Sequence, residues 1–188
     1  VVSMDHTKQT KLKTLAEIAA ERGMRVGIVS SVTITHATPA CFYAHQPSRG
    51  NHYQIAMELA ASNFQYFAGG PIHTPAEAQI SPLQAARENG LTLVRTRPQL
   101  MALTKRAPKV WSYNHATDYD LALHYEIDRP DDQLSLLELT AKGIDLLDNP
   151  DGFFMMVESG KIDWACHAHD AAAAIRDVLA FDEAVAEV

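Results

Sequence analysis

The sequence predicts an α/β fold of three layers, a mostly parallel sheet with helices on both faces. Helix-start signals recur along the chain, and the glycines that stop two of those helices are each followed at once by an apolar run of strand length. Alternation of helix and strand in this order builds parallel sheets covered on both sides. A final amphipathic pattern over 171–188 supplies a further helix.

Taken in order, the capping box Thr14-x-x-Glu17 opens the first helix and Gly23 stops it, ahead of a strand over 26–29. A second helix over 53–61 leads to a strand over 64–67, with a break at Gly69-Gly70. Ser81-Pro82-x-Gln84 reads as another capping box, with proline at the first helical position, and Gly90 closes that helix before a strand over 91–94. A short strand over 110–113 follows Pro108. The stretch 114–133 lacks periodicity and carries Asp118, Asp120, Asp128, Asp131 and Asp132, so it reads as a long surface connection bordering an active site. The box Ser135-x-x-Glu138 starts a helix, and 153–157 is a buried strand. In the last helix, Ile175, Val178, Leu179 and Val185 lie near one face, which predicts docking on the sheet.

Composition narrows the function classes. With 188 residues the chain has room for one substantial core, so 1–188 is read as a single α/β unit. Hydrophobic content of 47% excludes disorder, and no apolar run approaches the ~20 residues that span a bilayer. A net charge of −7 with 16 scattered Lys and Arg argues against a nucleic-acid partner. The two cysteines, Cys41 and Cys166, cannot form a disulfide framework and read as buried free thiols, with a bridge between them a minor alternative. The N-terminus has no signal-peptide pattern, and both ends are read as cut ends of a longer chain.

The most informative stretch is 156–167, where a greasy strand gives way to Glu158, Asp163 and His167. Open α/β sheets bind ligands just past their strands' carboxyl ends. Asp163 and His167 are four apart, so a helical turn puts carboxylate and imidazole on one face. Carboxylates suit Mg²⁺ or Zn²⁺ and imidazole suits Zn²⁺, so the mixed set points to zinc, beside a harder ion. Alone, this spacing is more often a solvated helix face. A second strand end supplies partners. The strand over 26–29 runs into a polar loop, Ser30 to Ala40, that contains His36 and Thr38 and opens on the same sheet edge. Thr38-Pro39 also reads simply as a helix cap followed by its first residue. Arg49, in a Pro- and Gly-marked loop, offers a planar fork matching two phosphoryl oxygens, although most isolated loop arginines are merely solvated. Metal ligands with such a fork make a phosphate or sulfate ester the natural substrate class.

The blocks Thr35-His36-Ala37-Thr38-Pro39-Ala40 with Tyr43-Ala44-His45 and Arg49, then Val157-Glu158 with Ile162-Asp163 and His167, resemble the alkaline phosphatases, in that family's order. The ending from Leu179 to Val185 resembles the helix that follows. The resemblance implies an incomplete alkaline phosphatase-like fold and a phosphomonoesterase that works through a phosphoserine. It implies that Thr38 and Glu158 bind magnesium, that Asp163 and His167 bind one of two catalytic zincs, and that Arg49 holds the phosphate. His36 stands near the magnesium position, where some members have aspartate, and Trp164 stands where others have lysine or histidine. His169, two beyond His167, is the less suitable ligand because the four-residue step from Asp163 favours His167.

The resemblance also exposes what is missing. The family's nucleophile lies in an Asp-Ser-Ala segment, and no Asp-Ser pair occurs in these 188 residues. The reading is therefore a central segment that does not hydrolyse phosphomonoesters alone. The resemblance further implies a periplasmic or extracellular parent enzyme, with a homodimer as its expected assembly. The alternative from another class is a non-enzymatic metal- or phosphate-binding module. A nucleotide-binding α/β domain is disfavoured because no Gly-rich fingerprint follows a strand.

Overall fold

The computed structural model describes residues 1–105, 109–114 and 121–188. Helix α1 (Leu15–Glu21) starts at the predicted box, with Thr14 and Glu17 satisfying each other's backbone amides. Gly23 follows it at φ +84°, a left-handed position that costs glycine nothing. Strand β1 (Arg25–Thr33) leads through the short α2 (Ala37–Ala40) and α3 (His52–Ala61) to β2 (Tyr66–Gly70). Then come α4 (Pro82–Glu88), β3 (Thr92–Val94), α5 (Arg97–Met101) and β4 (Val110–Tyr113). A 3-10 helix at Glu126–Asp128 precedes α6 (Leu136–Leu147), β5 (Phe153–Glu158), α7 (Lys161–His167) and α8 (Ala171–Ala186). Asp118, Asp120 and Pro108, invoked above, lie outside the described residues.

The five strands form one sheet in the order β3-β4-β2-β1-β5, every pair parallel. Side chains alternate between two cores, as the period of two in a strand requires. Val26, Ile28, Phe67 and Trp111 pack with Ala16, Ile55, Leu59 and Ala86 of α1, α3 and α4. Val29, Tyr66, Ala68 and Val110 pack with Leu139, Leu146 and Leu147 of α6 and Ala184 of α8. The expected three layers are therefore present.

Four details differ from the sequence reading. First, β1 extends through Ser30, Ser31 and Thr33, because each of these buried hydroxyls has a hydrogen-bond partner. Second, Gly69-Gly70 ends β2 from inside the strand. A Cβ on Gly69 would meet the backbone oxygens of Ser30 and Val32 at 2.9 and 3.0 Å, so these glycines permit close approach of neighbouring chain. Third, Ser81 caps α4, but Gln84 bonds Glu88, so the box is half formed. Fourth, the apolar stripe of α8 faces outward. Ile175, Val178, Leu179 and Val185 are exposed, while Ala173, Asp177 and Ala184 turn inward, because small side chains let α8 lie close on α6 and α7.

The connection after β4 is also less superficial than expected. Ala122 and Leu123 are buried, and the Leu123 amide donates to the Ser31 carbonyl at 2.8 Å, which folds this segment over the carboxyl end of β1.

Candidate active site

Strands β1 and β5 are neighbours, and their register sets Ser30 opposite Glu158. The segments at and beyond their carboxyl ends carry the predicted site residues, more than a hundred residues apart in sequence, at the edge where open α/β sheets bind ligands. Ser30 is fully buried and donates to Glu158 Oε2 at 2.6 Å, which fixes the carboxylate at the end of β5. Ser31 Oγ accepts from the Lys161 amide at 3.2 Å, which ties the start of α7 to β1. Thr33 donates to the Pro71 carbonyl at 2.7 Å, and Thr35 bonds His52 Nδ1 at 3.2 Å. The polar run from Ser30 to Thr35 is thus largely scaffold.

Beyond it, the chain turns into α2 with His36 as N-cap, so Thr38 lies within the helix, exposed, two residues later than the capping alternative placed it. The helix starts early because the Ala40 amide already bonds the His36 carbonyl. Arg49 is exposed and its Nη2 lies 2.9 Å from His36 Nε2. Guanidinium is a donor only, so Nε2 accepts and the imidazole is neutral with its proton on Nδ1. That Nδ1 is buried and has no partner among the described residues. Burial, then the Arg49 charge, holds the His36 pKa below its ordinary value, against the opposing pull of Glu158 and Asp163. The His36 ring also meets Trp164 edge to face at 5.9 Å between centroids. His36 therefore joins Arg49 to α7.

On α7, Asp163 Oδ1 and His167 Nε2 lie 3.6 Å apart, and both side chains are largely exposed. Two ligands held ~2.0–2.1 Å from a tetrahedral zinc are separated by about 3.3–3.4 Å, so this pair fits two corners of a zinc site with little movement. Glu158 offers a hard carboxylate oxygen beside α2, which packs on both β1 and β5 and carries Thr38. His36 is a weaker candidate as a ligand: its Nε2 lone pair is committed to Arg49 and its Nδ1 carries the proton. Among the described residues no three His, Cys, Asp or Glu side chains converge on one point. The donor set fits zinc and magnesium as a partial one.

Ser30, Ser31, His52 and Lys161 were not anticipated in these roles. For Ser30 a signal existed, because aligning the two predicted strands by their carboxyl ends sets it beside Glu158. Cys41 and Cys166 are free thiols, as expected, but they are not buried. Both are exposed, because Pro39 and Ala40 occupy the inward side of α2, while Lys161 and Ala165 occupy that of α7.

The family model for alkaline phosphatase matches residues 1–68 and 81–188. The chain belongs to the alkaline phosphatase family. It is 31% identical over 182 residues to alkaline phosphatase 4 of Bacillus subtilis, covering 93% of this chain and 38% of that protein. Against the tissue-nonspecific isozyme of Gallus gallus the identity is 28%, covering 95% and 42%. The cold-active alkaline phosphatase of a psychrophilic Shewanella superposes with a TM-score of 0.86 at 32% identity, over 99% of this chain and 44% of that one. That of the Antarctic bacterium TAB5 superposes at 0.84 and 29%, over 99% and 53%. A mutant of the TAB5 enzyme is described with Mg bound in its M3 site. The chain thus spans about two fifths of the length of these curated relatives, and its α/β fold matches that of the two solved enzymes.

Proposed function

We propose that this chain is part of a metal-dependent phosphomonoesterase, in which Arg49 binds the phosphoryl group of a phosphate monoester. In this reading Glu158 and Thr38 hold magnesium, and Asp163 and His167 supply two ligands of a zinc. Bound there, such ions would polarise phosphoryl oxygens and lower the pKa of water. The observation that carries the proposal is the linkage of Arg49, through His36, to Trp164 of α7, the helix that carries Asp163 and His167. Family membership supports the reaction class. Arg49 is exposed and its fork is free to turn toward two phosphate oxygens, while His36 limits where it points.

The attacking serine of the proposed phosphoserine route has no counterpart in an Asp-Ser pair of this sequence, so the isolated chain is expected to be inactive. No transmembrane helix is found among the described residues, and a periplasmic or extracellular setting, like a dimeric parent enzyme, is proposed from family membership alone. The test is release of p-nitrophenol from p-nitrophenyl phosphate by the purified chain with zinc and magnesium. The expected result is no release above the metal-only blank. Zinc-dependent release that Arg49→Ala abolishes would overturn the claim of inactivity.

A further inference from the structure

Lys161 is 2% exposed, an unusual place for an ammonium group, since a buried charge is retained only where it is paired. Its Nζ lies 3.6 Å from the centre of the Tyr125 ring and 5.6 Å from that of Trp164. Asp177 of α8, itself 5% exposed, is close enough for the two charges to act on one another. Asp177 in turn accepts from the Glu126 amide at 2.8 Å. The Lys161 amide donates to Ser31 Oγ. A cavity of about 20 Å³, room for one water, lies alongside, lined in part by Ser31, Ser159, Glu126 and Asp177. Lys161 therefore ties the first turn of α7 to β1 through its backbone amide and to Tyr125, at the start of the 3-10 turn, through its side chain.

Lys161 precedes Asp163 by two residues, so on α7 they face different sides. Lys161 points inward and Asp163 outward, with His167 on Asp163's side. Because Asp163 and His167 are exposed, few contacts of their own fix their direction. The rotation of α7 about its axis is set largely from its inner side, by Lys161, by Ala165 and by the close approach of Gly160 to Val32.

We propose that Lys161 is a positioning residue: its buried ammonium, seated on the Tyr125 ring, locks the rotation of α7 so that the Asp163–His167 pair is presented to a metal ion at the sheet edge. The proposal rests on the reading of Asp163 and His167 as zinc ligands. Groups that orient metal ligands typically change affinity by about 10–100-fold when lost.

The experiment is a Zn²⁺ titration of the metal-free chain followed by NMR at the His167 ring. It compares wild type with Lys161→Met, Lys161→Arg, the double variant Lys161→Met with Asp177→Asn, Asp163→Asn, and Leu139→Ala as a core-destabilising control in α6. Lys161→Met is expected to lower zinc affinity at least about tenfold, and Lys161→Arg to recover most of it. Leu139→Ala is expected to leave affinity unchanged. If Lys161→Met does not fold, the double variant, which leaves no lone buried charge, takes its place with the same expectation. Wild-type affinity in the Met variant, or a loss matched by Leu139→Ala, overturns the positioning role while leaving the metal site standing. Zinc binding indifferent to Asp163→Asn overturns the metal reading and this inference with it.

Discussion

Gly70→Ala is the substitution whose cost the structure specifies best. A Cβ built on Gly70 would stand 2.9 Å from both the Ala122 Cα and the Leu121 carbonyl carbon, and closer still to the Leu121 oxygen. All three atoms are backbone, so no rotamer change relieves the clash. Overpacking typically costs about 1–3 kcal/mol, and with backbone on the receiving side the upper end, about 3 kcal/mol, applies. For a chain of this length each kcal/mol moves the melting temperature by about 2–4 °C, giving a fall of about 6–12 °C. The segment displaced is the one that covers the carboxyl end of β1 and leads to Tyr125, so disorder should spread toward the site. The assay is thermal unfolding by circular dichroism, with Gly50→Ala as the control, since a Cβ there meets only the Ser48 hydroxyl at 3.5 Å. A Gly70→Ala protein that melts within about 2 °C of wild type would refute the close-approach argument.

Three further outcomes are expected. Ser30→Ala removes the 2.6 Å bond to Glu158 and should cost about 1.5–3 kcal/mol in urea unfolding, as bonds to charged groups do; a change under about 0.5 kcal/mol would contradict the pairing. His36 in the metal-free chain should titrate below 6.5, chiefly through burial, and Arg49→Ala should raise its pKa part of the way back. A depressed histidine pKa favours the neutral form on folding. Its stabilising contribution is present above the unfolded value and is lost as pH falls toward the folded one, which an NMR titration paired with unfolding at several pH values will show. On α8, Leu179→Lys should change stability by less than about 0.5 kcal/mol, whereas Ala173→Leu, on the buried side, should cost about 1–3 kcal/mol; equal effects in thermal unfolding would mean the helix is rotated from the position described.

Much of the fold was legible because the signals were local. Thr14, Ser81 and Ser135 each cap their helices, and Gly23 and Gly90 each take the left-handed conformation that ends one. What was not legible depends on partners distant in sequence. The buried hydroxyls of Ser30, Ser31 and Thr33 look like loop chemistry until Glu158, Lys161 and Pro71 are seen to satisfy them. Gly69 and Gly70 look like a break until the chain crowding against them is known. The face of α8 was inverted because a hydrophobicity pattern rewards large side chains, whereas close helix packing here selected Ala173 and Ala184. Of the site, Arg49, His36, Glu158 and Asp163 were legible as residue types, and the structure joins Arg49 to His36 and His36 to Trp164 of α7. That His36 accepts from Arg49 was not legible, since no periodicity encodes a contact between two loops.

In the proposed reading these loop ends form a partial metal and phosphate site. The direct measurement is a backbone NMR titration of the chain with Zn²⁺, then with inorganic phosphate. The predicted result is weak binding, as suits an incomplete ligand set, with shifts centred on Asp163 and His167, lost in Asp163→Asn, and a further response at Arg49 when phosphate is added. Shifts centred elsewhere, or an Arg49 signal indifferent to phosphate in the zinc-loaded chain, would contradict it.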